Sequence, residues 1–150
     1  MAWITITEGD LLKTKMAPLM NALRTAALEP GQEDPVTATV ADVIVRIRNK
    51  VATCATNKVD ANTDTIPASL KALACRLVIV EAKSRLEIDL TEDERTQWRI
   101  DEGELNRVAG CELVVDQPAE PAAPAVQQVQ PGPTISARPP KFKRWQQRGA

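Results

Sequence analysis

Hydrophobic side chains recur most densely between residues 65 and 87. There Ile66, Leu70, Leu73, Ala74, Leu77, Val78, Ala82 and Leu86 fall near the 3.6-residue period of a helix. The run Leu77-Val78-Ile79-Val80 widens the apolar surface, and Ser69, Arg76, Lys83 and Glu87 leave only a narrow polar stripe. The pattern predicts a central helix over 66–87, with Pro67 in its first turn, where a missing N–H costs nothing, and the polar run 60–65 as the loop before it. Leu70, Leu73, Leu77, Val78, Ile79 and Val80 are its packing or interface positions. The last four can be covered only by helices on both sides or by a neighbouring subunit.

Upstream, Trp3 to Ile6 alternates too briefly to be more than an extended lead-in. Thr7 and Asp10 have capping-box spacing and open a short helix near 7–15. Pro18 interrupts it, so a second helix is expected over 17–27, followed by a turn at Glu29-Pro30-Gly31-Gln32. Asp34-Pro35 is an N-cap followed by proline at the first helical position. Behind it Val36, Val40, Val43, Ile44, Ile47, Val51 and Cys54 keep spacings of three and four, giving a helix over 35–57 despite its β-branched content. Thr91 to Glu94 forms a full capping box with three acids in the first turn. The helix it opens carries Trp98, Leu105 and Val108, is weakened by Gly103, and ends at Gly110, with Cys111 to Val115 as a short extended segment.

The fold class expected is therefore all-α: a small bundle of about four helices around the helix at 66–87, occupying residues 1–115. At Asp116 the composition changes. Residues 116–150 hold most of the eleven prolines, with Ala and Gln and too little apolar surface to offset the cost of ordering. An extended Pro-rich C-terminal arm is expected there. With three tryptophans, one phenylalanine and no tyrosine, the core has to be built from Ala, Val, Leu and Ile.

The net charge of −1 conceals an asymmetry, since residues 1–115 are mildly acidic while the end of the arm is basic. Arg138, Lys141, Phe142, Lys143, Arg144 and Trp145 interleave cations with two large aromatics. That arrangement suits a partner-binding motif anchored in a protein pocket, a nucleic-acid contact with base stacking, or a merely solubilising terminus. Arg46, Arg48 and Lys50 do not extend the patch, because Arg48 lies on a different helix face.

The histidine count of zero removes the usual general base, the commonest metal ligand and the familiar Ser-His and Cys-His systems. Glu92, Asp93 and Glu94 with Asp101, Glu102 and Glu104 are the densest acids, and they read as a cap plus a solvated helix face. No catalytic residue, metal site or cofactor is expected, and the chain is not expected to be an enzyme. Cys54, Cys75 and Cys111 are odd in number and widely spaced, which fits neither a disulfide framework nor a zinc site and suggests buried thiols. No signal peptide or run of membrane-spanning length is visible, so a reducing cytoplasm and no membrane partner are expected.

In order, ITITEGDLL, a Val/Ile-rich second helix, DTIPASLKALACRLVIVEAKSRL and a closing RVAGCELVV resemble the head–tail adaptor, or connector and head-completion, proteins of tailed bacteriophages. The resemblance covers about residues 4–115 and rests on helix order, one Ile-Pro and one Ala-Gly landmark; the arm lies beyond it. It implies a structural virion protein in the neck, made in the host cytoplasm. Such a protein forms a homo-oligomeric ring of twelve subunits beneath the portal, extends a channel through which DNA passes without sequence specificity, and offers a platform to the stopper or tail. The alternative from another class is a small nucleic-acid-binding or DNA-packaging accessory protein using the basic tip.

Overall fold

The computed structural model describes residues 3–14, 16–26 and 33–119. Most of the arm, including Arg138, Lys141, Phe142, Lys143, Arg144 and Trp145, lies outside the described residues, as does the expected turn at 29–32. Five α-helices and a two-stranded ribbon follow in the order β1 (Trp3–Thr5), α1 (Glu8–Leu12), α2 (Ala17–Ala26), α3 (Pro35–Thr53), β2 (Thr65–Pro67), α4 (Lys71–Arg85) and α5 (Glu92–Ala109). The described residues are thus mostly helical rather than purely so.

Three helix starts are built as their local residues require. At α1 only the Asp10 half of the capping box is made: Asp10 Oδ2 accepts from the Thr7 N–H at 3.1 Å and from the Thr7 hydroxyl at 2.8 Å, while the Asp10 N–H donates to the Thr7 carbonyl. Asp34 accepts from the Val36 N–H at the start of α3. At α5 the Thr91 N–H donates to Glu94 Oε2 at 2.9 Å while Thr91 Oγ1 accepts from the Glu94 N–H. Gly103 leaves α5 unbroken; a side chain there would meet nothing within 4 Å.

The predicted helix over 66–87 needs correction. Its first residues form β2, which pairs antiparallel with β1 in the register Trp3 to Pro67, Ile4 to Ile66 and Thr5 to Thr65. A single 3₁₀ turn at Ala68–Leu70 then leads into α4, so Pro67 ends a strand instead of opening a helix. The lead-in at Trp3 is the other half of this ribbon. A run as short as Thr65 to Pro67 carries no period of its own, and its partner is some sixty residues away. The helix over 35–57 also stops early, at Thr53, where Cys54 turns to extended backbone. At the far end of α5, Gly110 keeps φ −79° and the left-handed residue is Cys111, at φ 62°. Cys111 to Val115 is irregular and pairs with no strand among the described residues.

α3 and α4 share the centre. α4 packs on α2, α3 and α5, and α3 packs on α2, α4, α5 and β2. Leu70, Leu73, Leu77 and Val78 are buried with Ile47 and Val51 of α3, Leu105 and Val108 of α5, and Met16, Met20 and Leu23 around α2. Each fully buried leucine contributes roughly 2 kcal/mol of transfer free energy.

The packed chain also runs past residue 115. The Trp3 indole donates to the Asp116 carbonyl at 2.8 Å, Asp116 Oδ2 accepts from the Ser69 N–H at 2.9 Å, and Gln117 Oε1 accepts from the Lys58 N–H at 2.9 Å. Pro118 is buried, so the segment up to it belongs to the folded body rather than to the arm.

Candidate functional site

The charged side chains of α3 are committed within the chain. Arg46 reaches Glu102 of α5 at 2.6 Å, and Lys50 donates to Asn106 Oδ1 at 2.8 Å. Arg48, on a separate face, spreads its guanidinium across the carbonyls of Asp60, Asn62 and Thr65 at 2.7 to 2.8 Å. It also lies 5.1 Å from the centroid of the Trp3 ring, which is within cation–π range. One side chain therefore closes the 58–65 loop onto the ribbon, and this burial pulls Arg48 below its ordinary pKa.

The acid cluster divides. Glu94 serves its cap and also receives Lys83 of α4 at 2.6 Å, and the lysine holds its carboxyl below the ordinary range. Asp101 is 1% exposed and sits in no solvated face. Arg76 of α4 grips it as a fork, Nε to Oδ2 at 2.9 Å and Nη2 to Oδ1 at 2.7 Å, and Gln97 adds a donor at 3.0 Å. Asp10 pairs with Lys71 at 2.7 Å, joining α1 to α4, and its carboxyl is strongly depressed, first by that lysine and then by Thr7. These acids clamp helices together, and no group of three or more Cys, Asp or Glu among the described residues could hold a metal ion.

The cysteine expectation is corrected for two of the three. Cys54 and Cys111 form a disulfide joining the end of α3 to the end of α5. Cys75 is free and buried, and burial raises its thiol pKa, which keeps it protonated and unreactive. Linear spacing could not disclose the pairing, because it arises only when α3 and α5 lie side by side.

Some large apolar side chains also stay open to solvent, among them Val45, Ile88, Trp98 and Ile100. Of the expected packing positions, Leu70, Leu73, Leu77 and Val78 are consumed by the core, whereas Ile79 and Val80 stay half-buried and border two different clefts. Val80, Ile88, Leu90 and Trp98 line a cleft of about 390 Å³ between α4, the 86–91 loop and α5, bordered by Glu81, Asp89, Arg46 and Arg95. Ile79 looks into a second cleft of about 470 Å³, with Met16, Leu19 and Ala22. Ile88, 45% exposed, borders both, and Trp98 is 36% exposed. A third apolar hollow lies on α3 around Val40, Ile44 and Val45. The sequence signalled Ile79, Val80 and Trp98, whereas Ile88 and Leu90 fall between the helix expected over 66–87 and the cap at Thr91, where the pattern assigns no element.

Such clefts take hydrophobic side chains of a partner. No helix among the described residues is long and apolar enough to cross a membrane. No family model, curated protein or solved structure matches the chain.

Proposed function

We propose that this chain is a structural virion protein, a head–tail adaptor that assembles as a ring under the portal, extends the DNA channel and gives the stopper or tail a platform. The carrying observation is the apolar surface left in two clefts beside α4 after its own helices have packed, at Ile79, Val80, Ile88 and Trp98. A ring subunit needs two neighbour-facing sides, and a closed ring of one chain uses two different patches. The helix order and landmarks quoted above supply the family resemblance. In this reading a helical body arranged about α4 builds the ring, and the Pro-rich arm reaches a neighbour or the portal.

The nucleic-acid alternative draws less support from the body, where Arg46, Arg48 and Lys50 are already bonded within the chain. One experiment separates the two. The purified protein is mixed with portal-bearing, tailless heads, and the attached density is averaged by electron microscopy; a ring beneath the portal is expected. No attachment, together with DNA binding by the free protein that falls steeply with salt, would refute the adaptor reading in favour of the alternative.

A further inference from the structure

We infer that the Cys54–Cys111 bond is a redox switch: a dithiol reductant opens it in the folded protein, and the segment 112–118 then lifts off the ribbon and the start of α4. The inference goes beyond the assembly reading and does not depend on it. The two half-cystines stand in unequal surroundings. Cys54 is 1% exposed at the end of α3, whereas Cys111 is exposed beyond the end of α5. A thiolate reaches Cys111 without unfolding either helix, and access decides which sulfur is attacked. The Thr56 hydroxyl lies 2.9 Å from Cys54 Sγ, and since a sulfur in a disulfide carries no hydrogen, the hydroxyl is the donor. It is placed to stabilise Cys54 as the departing thiolate, the same direction of cleavage that the exposure favours.

The exchange balances with a dithiol. Its first thiolate attacks Cys111 Sγ, the S–S bond breaks, and the bonding pair leaves on Cys54 Sγ, which takes up a proton. The second thiol of the reductant then displaces Cys111 from the mixed disulfide. The reductant ends as a disulfide and Cys54 and Cys111 end as thiols, two electrons having passed. A small disulfide such as oxidised glutathione closes the bond again and leaves as two thiols.

What the bond holds is a segment with few other ties. Cys111 keeps φ 62°, in the left-handed region that a residue with a side chain rarely adopts. Residues 112–118 form no helix or strand, and Val114 is 85% exposed. The Glu112 and Leu113 N–H groups turn back to the Arg107 carbonyl of α5, so at this end the disulfide is the covalent tie to α3. Further on, Val115 and Pro118 are buried, and Asp116 and Gln117 accept from the Trp3 indole and from the N–H groups of Ser69 and Lys58. Segments fastened by so few buried contacts open locally, at less than the free energy of global unfolding. The Ser69 and Lys58 amides belong to other parts of the chain, so their exchange with solvent reports whether the segment is seated.

The test uses the full-length chain in native buffer, with dithiothreitol as reductant and oxidised glutathione as oxidant. Hydrogen exchange is followed at single amides by NMR. Reduction is expected to go to completion without denaturant. It should speed exchange at Ser69 and Lys58 at least roughly tenfold while Leu77 and Val78 of α4 keep their rates. Oxidised glutathione should restore the slow rates. Cys111→Ser should exchange fast with or without reductant, and the reduced parent carries the test by itself if that variant fails to fold. Brief treatment with reduced glutathione, quenched in acid and mapped by mass spectrometry, should leave the mixed disulfide on Cys111. The inference is overturned by reduction that needs urea, by unchanged rates at Ser69 and Lys58, by acceleration that spreads equally into α4, by rates that reoxidation does not restore, or by glutathione found on Cys54.

Discussion

Replacing Arg76 by alanine isolates the least exposed charge in the folded body. Asp101 is 1% exposed and takes three hydrogen bonds from Arg76, at 2.7, 2.9 and 3.2 Å, and one from Gln97 at 3.0 Å. With the guanidinium gone, the carboxylate keeps one neutral donor in a site that water does not reach. Removing one partner of a buried pair in this way costs about 3–5 kcal/mol. Because the Arg76 side chain is 39% exposed, some water follows into the vacated space, and the lower end, about 3 kcal/mol, is expected. A domain of this size holds on the order of 6–16 kcal/mol in all, so the loss lowers the melting temperature by roughly 10 °C.

Asp101→Asn should cost less, about 1–2 kcal/mol, because it removes the charge and leaves only an exposed-side cation to rehydrate. The double change Arg76→Met with Asp101→Leu should return to within about 1 kcal/mol of the parent, since an apolar pair has no desolvation to offset. Urea unfolding followed by far-UV circular dichroism, with the m-value checked for constancy, measures all three. If Arg76→Ala costs under about 1 kcal/mol at an unchanged m-value, Asp101 is not desolvated and the clamp between α4 and α5 has been misjudged.

The Cys54–Cys111 bond closes a loop spanning 57 residues, and chain-entropy reasoning gives it about 4 kcal/mol, so Cys111→Ala should lower the urea midpoint well below that of the oxidised parent. Thiol titration of the denatured parent should find one free thiol, from Cys75, and three after reduction; three before reduction would show the bond absent. Arg48→Lys should cost about 2 kcal/mol, because an ammonium cannot span three carbonyls and the Trp3 face at once, and faster amide exchange in β1 would report the freed ribbon. Acid should destabilise the fold in a definite window. Asp10, Asp34 and Glu94 all have carboxyls depressed in the folded state, so their stabilisation is complete above the ordinary values of 3.8 and 4.5 and is lost as pH falls through the lower folded values. Lys71→Met, which removes the chief cause at Asp10, should flatten that acid limb; an unchanged slope would contradict the assignment.

The sequence by itself determined what depends on neighbours within a turn or two. The caps at Thr7, Asp34 and Thr91 join groups two or three residues apart, and the helices they open follow from the spacing of their apolar positions. The apolar excess on α4 was likewise legible, together with Ile79 and Val80 within it. Tertiary structure decided everything that joins distant segments. Thr65 to Pro67 became a strand because Trp3 to Thr5 lay beside it, and Cys54 met Cys111 because α3 and α5 pack together. Asp101 looked like one acid among six on a solvated face until α4 brought Arg76 against it. Ile88 falls outside every predicted element, yet in the fold it borders two clefts. Periodicity records which side of an element is apolar, whereas the partner that covers that side, or leaves it open, is set by the fold.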